Sequence, residues 1–320
     1  MKILVFLSRI IVAVTFLFSG FVKLVDPLGS AYKFEEYFGA DVLNIEFLIP
    51  YALPFSILLI LAEIMLGVLL LVGYLPKLTV WSLLGIIIVF LFLTWYSAYY
   101  NKVTDCGCFG DAVKLSSWGT FYKNIVLVVL ILLLVWKWKG ITPLFNLNFA
   151  KGSSVLSFLI FSYITYYVLV HLPIIDFRPY ANGENLPNNM EYVNGVEPKI
   201  HDFYLESVEG EDLTNAVLTG DKVLLIVAYS LDKCDKQGFT EIKHVTDVAM
   251  KKGYLVYALT SSMQEEFDEI KNAYQLNFDM LFGDETMLKT IIRSNPGILT
   301  LHKGTIKGKW SWTDYEKVVY

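Results

Sequence analysis

The chain has 320 residues, of which 55% are hydrophobic and 18% are charged, with a formal net charge of −5. This hydrophobic fraction exceeds what a soluble globule needs to fill its core, so lipid must solvate part of the protein. Residues 1–175 hold 11 Lys/Arg and 8 Asp/Glu, a net charge of +3, whereas residues 176–320 hold 15 and 23, a net charge of −8. An acidic soluble half repels phosphate backbones, which argues against nucleic acid as a partner.

Five apolar runs are long enough to cross about 30 Å of hydrocarbon as helices. They lie near residues 3–22, 50–73, 78–98, 122–138 and 154–172. The first run contains Arg9 and lacks a small-x-small cleavage site, which favours a retained helix over a signal peptide. Lysines are dense in the short connections after the second and fourth runs, and this bias places the N-terminus inside. The sequence therefore predicts a multi-pass protein of a bacterial inner membrane, in contact with the lipid bilayer, whose C-terminal part lies in the periplasm.

The most specific string in the predicted outer loops is Asp105-Cys106-Gly107-Cys108-Phe109-Gly110-Asp111. A Cys-x-Cys pair with a central glycine brings two sulfurs close, and a disulfide in so small a ring is strained and easily reduced. This favours a role in thiol exchange over that of a structural disulfide. Two alternatives stay open, a pair of small residues packed in a tight turn and, more weakly, a zinc site that includes Asp105 and Asp111. We predict no metal site.

Two of the ionisable residues in or beside the apolar runs are considered for a functional role. Glu63 is near the middle of the second run, where a charge is costly enough to mark a functional candidate. It is predicted either to accept protons or to hold helices together through a hydrogen bond. Lys23, near the end of the first run, is expected to extend its ammonium to the membrane interface.

These segments together resemble a known group of membrane proteins. Phe18-Ser19-Gly20-Phe21-Val22-Lys23, Glu63-Ile64-Met65-Leu66-Gly67 and the cysteine loop are similar to the DoxX and MauE group over about residues 1–140. The resemblance implies a four-helix transmembrane domain with a redox role, whose Cys-x-Cys corresponds to Cys106 and Cys108. It further implies quinone as a candidate cofactor from the DoxX branch, and methylamine utilisation with maturation of a disulfide-rich periplasmic enzyme from the MauE branch.

The remaining chain departs from that four-helix form. We assign residues 141–175 to a fifth transmembrane helix and residues 176–198, rich in turn formers, to a flexible linker. Residues 199–320 are predicted to form an α/β domain. Its expected strands are Ile200–Leu205, Asp212–Thr214, Val223–Tyr229, Tyr254–Thr260 and Gly297–Leu301 with a following hairpin partner, and its expected helices run to about Lys252 and from Met263 to about Tyr274.

The order of these elements resembles the thioredoxin-like fold. In that family a Cys-x-x-Cys follows the central strand at a helix N-terminus and faces a cis-proline, and these map onto Cys234 and Pro296. Gln237 stands where the second cysteine would be. At a helix N-terminus the Cys234 sulfur would be favoured as thiolate, but without a resolving cysteine it cannot close an internal disulfide.

The sequence therefore predicts a membrane-bound accessory of periplasmic thiol–disulfide redox or quinone-linked electron transfer. Cys106 and Cys108 would form the exchanging pair, with a periplasmic thiol or disulfide protein as partner. Cys234 would attack disulfides, Pro296 would align the substrate and Glu63 would accept protons. The alternative is a non-enzymatic membrane module whose degenerate thioredoxin-like domain binds or assembles an envelope partner.

Overall fold

The computed structural model describes residues 1–103, 107, 109–113, 115–193 and 195–320. It divides into two compact units, Met1–Val168 and Leu169–Tyr320. The first unit is helical, and its helices are α1 Lys2–Val25, α2 Pro27–Phe38, α3 Ala52–Val72, α4 Pro76–Tyr100, α5 Ser117–Trp136 and α6 Leu147–Val170. Within the described ranges, five of these elements are long and apolar enough to cross a membrane: α1, the stretch Glu46–Val72 that contains α3, α4, α5 and α6. The predicted transmembrane bundle is confirmed.

Helices α1 and α3 approach each other closely because glycines lie at their contact. A Cβ atom at Gly20 would lie 2.8 Å from the Cβ of Ile64, and one at Gly67 would lie 2.9 Å from the Cγ of Leu17. Small residues permit such backbone approach in membrane bundles, where dispersion and hydrogen bonds replace the hydrophobic effect. This contact brings the polar side chains of the two helices within hydrogen-bond reach of each other.

The connection between α1 and α3 contains helix α2. The Asp26 side chain caps it by accepting the Gly29 N–H at 3.0 Å, and Pro27 occupies the first helical turn. The Ser56 hydroxyl of α3 then donates to the Pro27 carbonyl at 2.9 Å. These bonds fix the start of α2 against α3.

The second unit contains a six-stranded sheet in the order β1-β4-β3-β2-β5-β6. Its strands are β1 Glu206–Ser207, β2 Val223–Val227, β3 Leu255–Thr260, β4 Asp279–Phe282, β5 Gly297–His302 and β6 Thr305–Ser311. Strands β2, β3 and β4 are parallel, whereas β5 and β6 form an antiparallel hairpin beside β2. The described helices of this unit are α7 Leu186–Met190, α8 Thr214–Thr219, α9 Gly238–Lys251, α10 Gln264–Tyr274 and α11 Glu285–Ile291. Strand β2 is central and buried along its whole length, and the predicted thioredoxin-like α/β fold is confirmed.

Some predicted strands of this unit are wrong. Ile200–Leu205 has no strand, and the pairing begins only at Glu206–Ser207, where Glu206 forms an isolated bridge to Asp212. Thr214 begins helix α8 instead of ending a strand. Strand β4 and helix α11 were not expected, because Asp279–Phe282 is too short to show the alternation that marks a strand.

The expected flexible linker over residues 176–198 is also wrong, because this segment packs as part of the second unit. The Gly183 N–H donates to the Ile306 carbonyl at 2.9 Å, and the Leu186 N–H donates to the Gly304 carbonyl at 2.8 Å. Backbone bonds along β6 cover the edge of the sheet, which would otherwise expose unpaired donors and acceptors.

A buried ion cluster fixes the same segment. Asp176 accepts hydrogen bonds from Lys309 Nζ at 2.7 Å and from Arg178 Nε at 2.7 Å, and Lys309 also donates to the Tyr180 carbonyl at 2.9 Å. Burial would raise the pKa of Asp176, but the Arg178 and Lys309 charges outweigh it and hold the pKa at about 2. The segment is therefore docked through charge as well as backbone pairing.

Candidate functional site

A cavity of about 60 Å³ lies within the first unit, between helices α1 to α4. Its walls are mainly apolar, with Phe34, Ile60, Phe90 and Leu93 among the lining residues. Polar residues also line it, namely Lys23, Ser30, Lys33, Tyr37, Ser56 and Thr94. An apolar cavity with a few converging polar groups is the usual form of a small-molecule site.

The wall of this cavity carries a buried ion pair. Lys23 is 5% exposed and Glu63 is fully buried, and Lys23 Nζ lies 2.7 Å from Glu63 Oε2. Lys23 also donates to the Ser19 hydroxyl at 2.8 Å. The expectation that Lys23 extends to the membrane interface is wrong, because the carboxylate one helix away holds its ammonium inside the bundle.

The far oxygen of this carboxylate is unsatisfied. Among the described residues Glu63 Oε1 has no hydrogen-bond partner, although it is buried. A buried acceptor without a partner costs free energy, so it is retained where it serves a function or meets a ligand or water. The bond of Oε2 to Lys23 is enough for the helix-packing hypothesis, and it leaves Oε1 available for the proton-acceptor hypothesis. Both predictions for Glu63 therefore stand.

A second polar group of the cavity wall is Thr94 of α4, which is bonded to Asn124 of α5. Asn124 Nδ2 donates to the Thr94 hydroxyl at 3.2 Å, and Thr94 in turn donates to the Phe90 carbonyl at 2.7 Å. Tyr37 and Ser97 are joined through their hydroxyls at 3.0 Å. These residues were not predicted from the sequence, although Asn124 and Ser97 could have been recognised as polar positions inside predicted membrane spans.

Gly107, a described residue of the cysteine loop, also lies on the wall of this cavity. It has a φ of +65° and would bring a Cβ atom to 3.1 Å from Lys33 Cγ. The ring of Phe109 lies 5.3 Å from that of Phe18, and Lys123 Nζ lies 4.2 Å from the Phe109 centroid. Cys106 and Cys108, the sequence neighbours of Gly107, lie outside the described residues, as does Asp105. The predicted exchange pair therefore flanks a residue of the cavity wall.

In the second unit Cys234 lies in the connection from β2 to α9, three residues before the helix N-cap Gln237. Its Sγ donates to the Leu231 carbonyl at 3.0 Å and is half-buried. Burial raises the pKa of the Cys234 thiol to about 11, against a smaller opposite effect of the Lys236 charge. Burial therefore favours the protonated thiol over the expected thiolate, because the sulfur lies outside the first helical turn, where the helix dipole acts, and is desolvated.

Pro296 lies next to the same connection, as the thioredoxin-like resemblance implied. The Asn295–Pro296 peptide is cis, and a Cβ atom at Gly238 would lie 3.1 Å from Pro296 Cγ. The Asn295 carbonyl accepts the Asp235 N–H at 3.0 Å. The carbonyl before the proline therefore accepts one hydrogen bond from the connection that carries Cys234.

Comparison with known proteins bears mainly on the membrane unit. Residues 1–137 match the family model described as Methylamine utilisation protein MauE. This MauE-like domain contains the cavity, the ion pair and the cysteine loop. No curated protein matches the chain. Among solved structures, the crystal structure of StoA from Bacillus subtilis is similar, with 19% sequence identity, a TM-score of 0.26, and coverage of 33% of this chain and 84% of that chain.

The raised pKa of Cys234 makes a testable prediction about the rate at which its thiol is alkylated. With Cys106 and Cys108 replaced by Ser, alkylation of Cys234 by iodoacetamide at pH 7 should be about 100-fold slower than for a thiol at the ordinary value of 9.0, because the thiolate reacts. The rate should rise about tenfold per pH unit up to the pKa of about 11. Mass spectrometry of the detergent-solubilised chain measures it, and a rate that levels off near pH 8 would contradict the burial argument.

Proposed function

We propose that this protein is a membrane-bound redox accessory in which Cys106 and Cys108 exchange electrons with a thiol or disulfide protein outside the cytoplasm. The observation that carries the proposal is the position of Gly107, between these cysteines in sequence, on the wall of a membrane cavity that also holds Lys23. A buried ion pair inside a membrane domain is costly and typically marks a functional site.

The reaction consists of two balanced steps. A partner dithiol attacks the Cys106–Cys108 disulfide, passes through a mixed disulfide, and leaves as a disulfide while the loop pair becomes a dithiol. The loop dithiol then gives two electrons and two protons to an acceptor, for which we propose a membrane quinone that becomes a quinol. A strained Cys-x-Cys ring suits the first step, because its disulfide is readily reduced.

The match of residues 1–137 to the MauE family supports a narrower version of this role. We propose that the partner is an extracytoplasmic enzyme whose disulfides must form during maturation, as in methylamine utilisation. Substrates of that kind are secreted proteins, and disulfides persist in the compartments that receive them. A supply of oxidising equivalents from the membrane would serve such a partner directly.

In this account the thioredoxin-like domain binds rather than reacts. Cys234 has a raised pKa and no second cysteine at Gln237, and the Asn295 carbonyl is already hydrogen-bonded. The same observations favour the second candidate function, a non-enzymatic module in which this domain binds or assembles an envelope partner. The two candidate functions differ in whether Cys106 and Cys108 are repeatedly oxidised and reduced.

Turnover is measured with the whole protein in lipid nanodiscs. The probe is a synthetic peptide with two cysteines, supplied reduced together with decylubiquinone. The proposed function predicts that the peptide is oxidised in many-fold molar excess over the protein, with one quinol formed per peptide disulfide. Peptide oxidation no faster than in empty nanodiscs would contradict the proposed function and favour the non-enzymatic one.

We further propose that the chain lies in the bacterial inner membrane with its N-terminus inside and its loop cysteines and C-terminal domain in the periplasm. Cys106 and Cys108 should then react with a membrane-impermeant maleimide in intact spheroplasts after mild reduction. In a matched variant, Cys106, Cys108 and Cys234 are all replaced by Ser and Lys77, in a connection expected inside, is replaced by Cys. This variant should react only after lysis. The opposite pattern would invert the topology.

A further inference from the structure

Helix α6 has a buried face and an exposed face. The buried face includes Ala150, Ser154, Thr165 and Val168. Its hydroxyls are satisfied within the helix, since Ser154 donates to the Ala150 carbonyl at 2.7 Å and Thr165 donates to the Phe161 carbonyl at 2.8 Å. A shallow groove runs along the exposed face. That side of a membrane-spanning helix is therefore not covered by the described part of the chain.

The groove changes from polar to apolar along the helix. It is lined by residues that recur at helical spacing and are all exposed: Asn148, Lys151, Gly152, Val155, Leu156 and Leu159. From Asn148 to Leu159 the helix rises about 16 Å, close to the roughly 15 Å of hydrocarbon in one leaflet of a bilayer. With its polar end at the membrane interface, the groove therefore extends over the depth of one leaflet.

Gly152 gives the groove its depth. A Cβ atom at this position would meet no neighbouring atom within 4 Å, so packing inside the described chain does not require a glycine here. Inside a helix a glycine costs about 1 kcal/mol relative to alanine. On an exposed face it allows another molecule to approach the helix backbone closely. The open position therefore suits an external occupant of the groove.

Lys151 makes the polar end of the groove positive. Among the described residues no carboxylate pairs with it, and the sequence has no Asp or Glu between Asp111 and Asp176. The connection that precedes α6 adds the cations Lys137 and Lys139. The backbone N–H groups at the start of α6 add a partial positive charge. This end of the groove therefore favours a negatively charged occupant.

We propose that this groove binds an anionic phospholipid, whose phosphate accepts hydrogen bonds from Lys151 and Asn148 and whose acyl chain lies over Gly152 and the aliphatic residues. A second copy of the chain fits less well. A two-fold dimer on this face would bring two Lys151 ammoniums to the same depth without an acidic residue to pair with them. No residue of the cysteine loop takes part, so this inference is independent of the proposed function.

Native mass spectrometry of the whole detergent-solubilised protein tests the headgroup contact, with phosphatidylglycerol and phosphatidylcholine of the same acyl chains as probes. The unaltered protein should bind phosphatidylglycerol more tightly. Lys151→Gln should weaken phosphatidylglycerol binding about fivefold, the factor expected for one lysine near an anionic lipid, and should leave phosphatidylcholine binding unchanged. Lys139→Gln is the matched control, because it removes a cation of the same connection that lies over the Trp138 ring. Its effect should be less than about twofold.

The acyl-chain contact has its own variant. Gly152→Leu fills the groove without changing the charge, and its side chain points into open space, so the thermal unfolding midpoint should not change. Phosphatidylglycerol binding should fall about tenfold, as expected when roughly two methylene groups lose their contact. Glycerol phosphate, which has the headgroup chemistry but no acyl chain, should not compete. Competition by glycerol phosphate would assign the site to a free phosphate and overturn the lipid assignment.

Three further results would overturn the inference. Equal binding of the two lipids by the unaltered protein would show that the groove does not recognise charge. Equal losses in Lys151→Gln and Lys139→Gln would show that the cations attract anionic lipid diffusely, without a site in the groove. A dimer in the mass spectrum that Gly152→Leu dissociates would assign the groove to a second copy of the chain.

Discussion

Replacing either Cys106 or Cys108 by Ser is expected to lower catalytic oxidation of a dithiol peptide by at least about 100-fold, because the remaining thiol cannot close the disulfide that the peptide attacks. When the peptide is supplied as its disulfide, the remaining loop thiol should attack one peptide sulfur and release the other as a thiol, and the resulting mixed disulfide is seen as a mobility shift on a non-reducing gel. The peptide assay in nanodiscs measures both effects.

Cys234→Ser is the matched control for this loss. It removes a cysteine from the same chain, but one whose thiol is half-buried and has a pKa raised to about 11. Peptide oxidation should stay within about twofold of the unaltered protein, since a protonated thiol is a poor nucleophile. A loss in Cys234→Ser as large as that in Cys106→Ser would contradict the division of roles between the two domains.

Breaking the buried ion pair on one side only is expected to destabilise the membrane domain strongly. Lys23→Met leaves Glu63 buried, charged and without its partner, and such changes cost about 3–5 kcal/mol. The double variant Lys23→Met/Glu63→Leu removes both charges and should lie within about 1–2 kcal/mol of the unaltered protein, because neither desolvation cost remains. Unfolding in mixed micelles of SDS, followed by tryptophan fluorescence, measures both variants.

The comparison of single and double variants isolates the interaction between the two side chains. If Lys23→Met costs no more than the double variant, the pair is not desolvated as the structure shows, and the account of Lys23 as a buried cation fails. Lys77→Met serves as the control, since the Lys77 side chain lies over the Trp138 ring.

Much of the fold was predictable, since long apolar runs and one continuous β2 strand have strong local signals. The packing of residues 176–198 was not. Its docking depends on Asp176 meeting Lys309, more than a hundred residues away, and on backbone bonds from Gly183 and Leu186 to β6. Turn-forming residues are common both in flexible linkers and in segments that cover a sheet edge. Their presence therefore does not distinguish the two.

The candidate site shows the same limit. Glu63 was identified from its sequence position, but the position of Lys23 inside the bundle depends on the close contact of α1 and α3 at Gly20 and Gly67. Family resemblance related Cys234 to Pro296, and the connection that carries Cys234 does bond to the residue before Pro296, through the Asp235 N–H. The sequence pattern does not show how far the sulfur lies from the first helical turn or how deeply it is buried.

In the proposed function Cys106 and Cys108 form a redox pair that cycles, while Cys234 does not. Differential alkylation of the three cysteines, read by mass spectrometry, tests this on membranes treated first with the dithiol peptide and then with decylubiquinone. We expect Cys106 and Cys108 to become alkylatable with the peptide and to be protected again as a disulfide after the quinone, while Cys234 stays a thiol throughout. Loop cysteines whose state does not change under either treatment would contradict it.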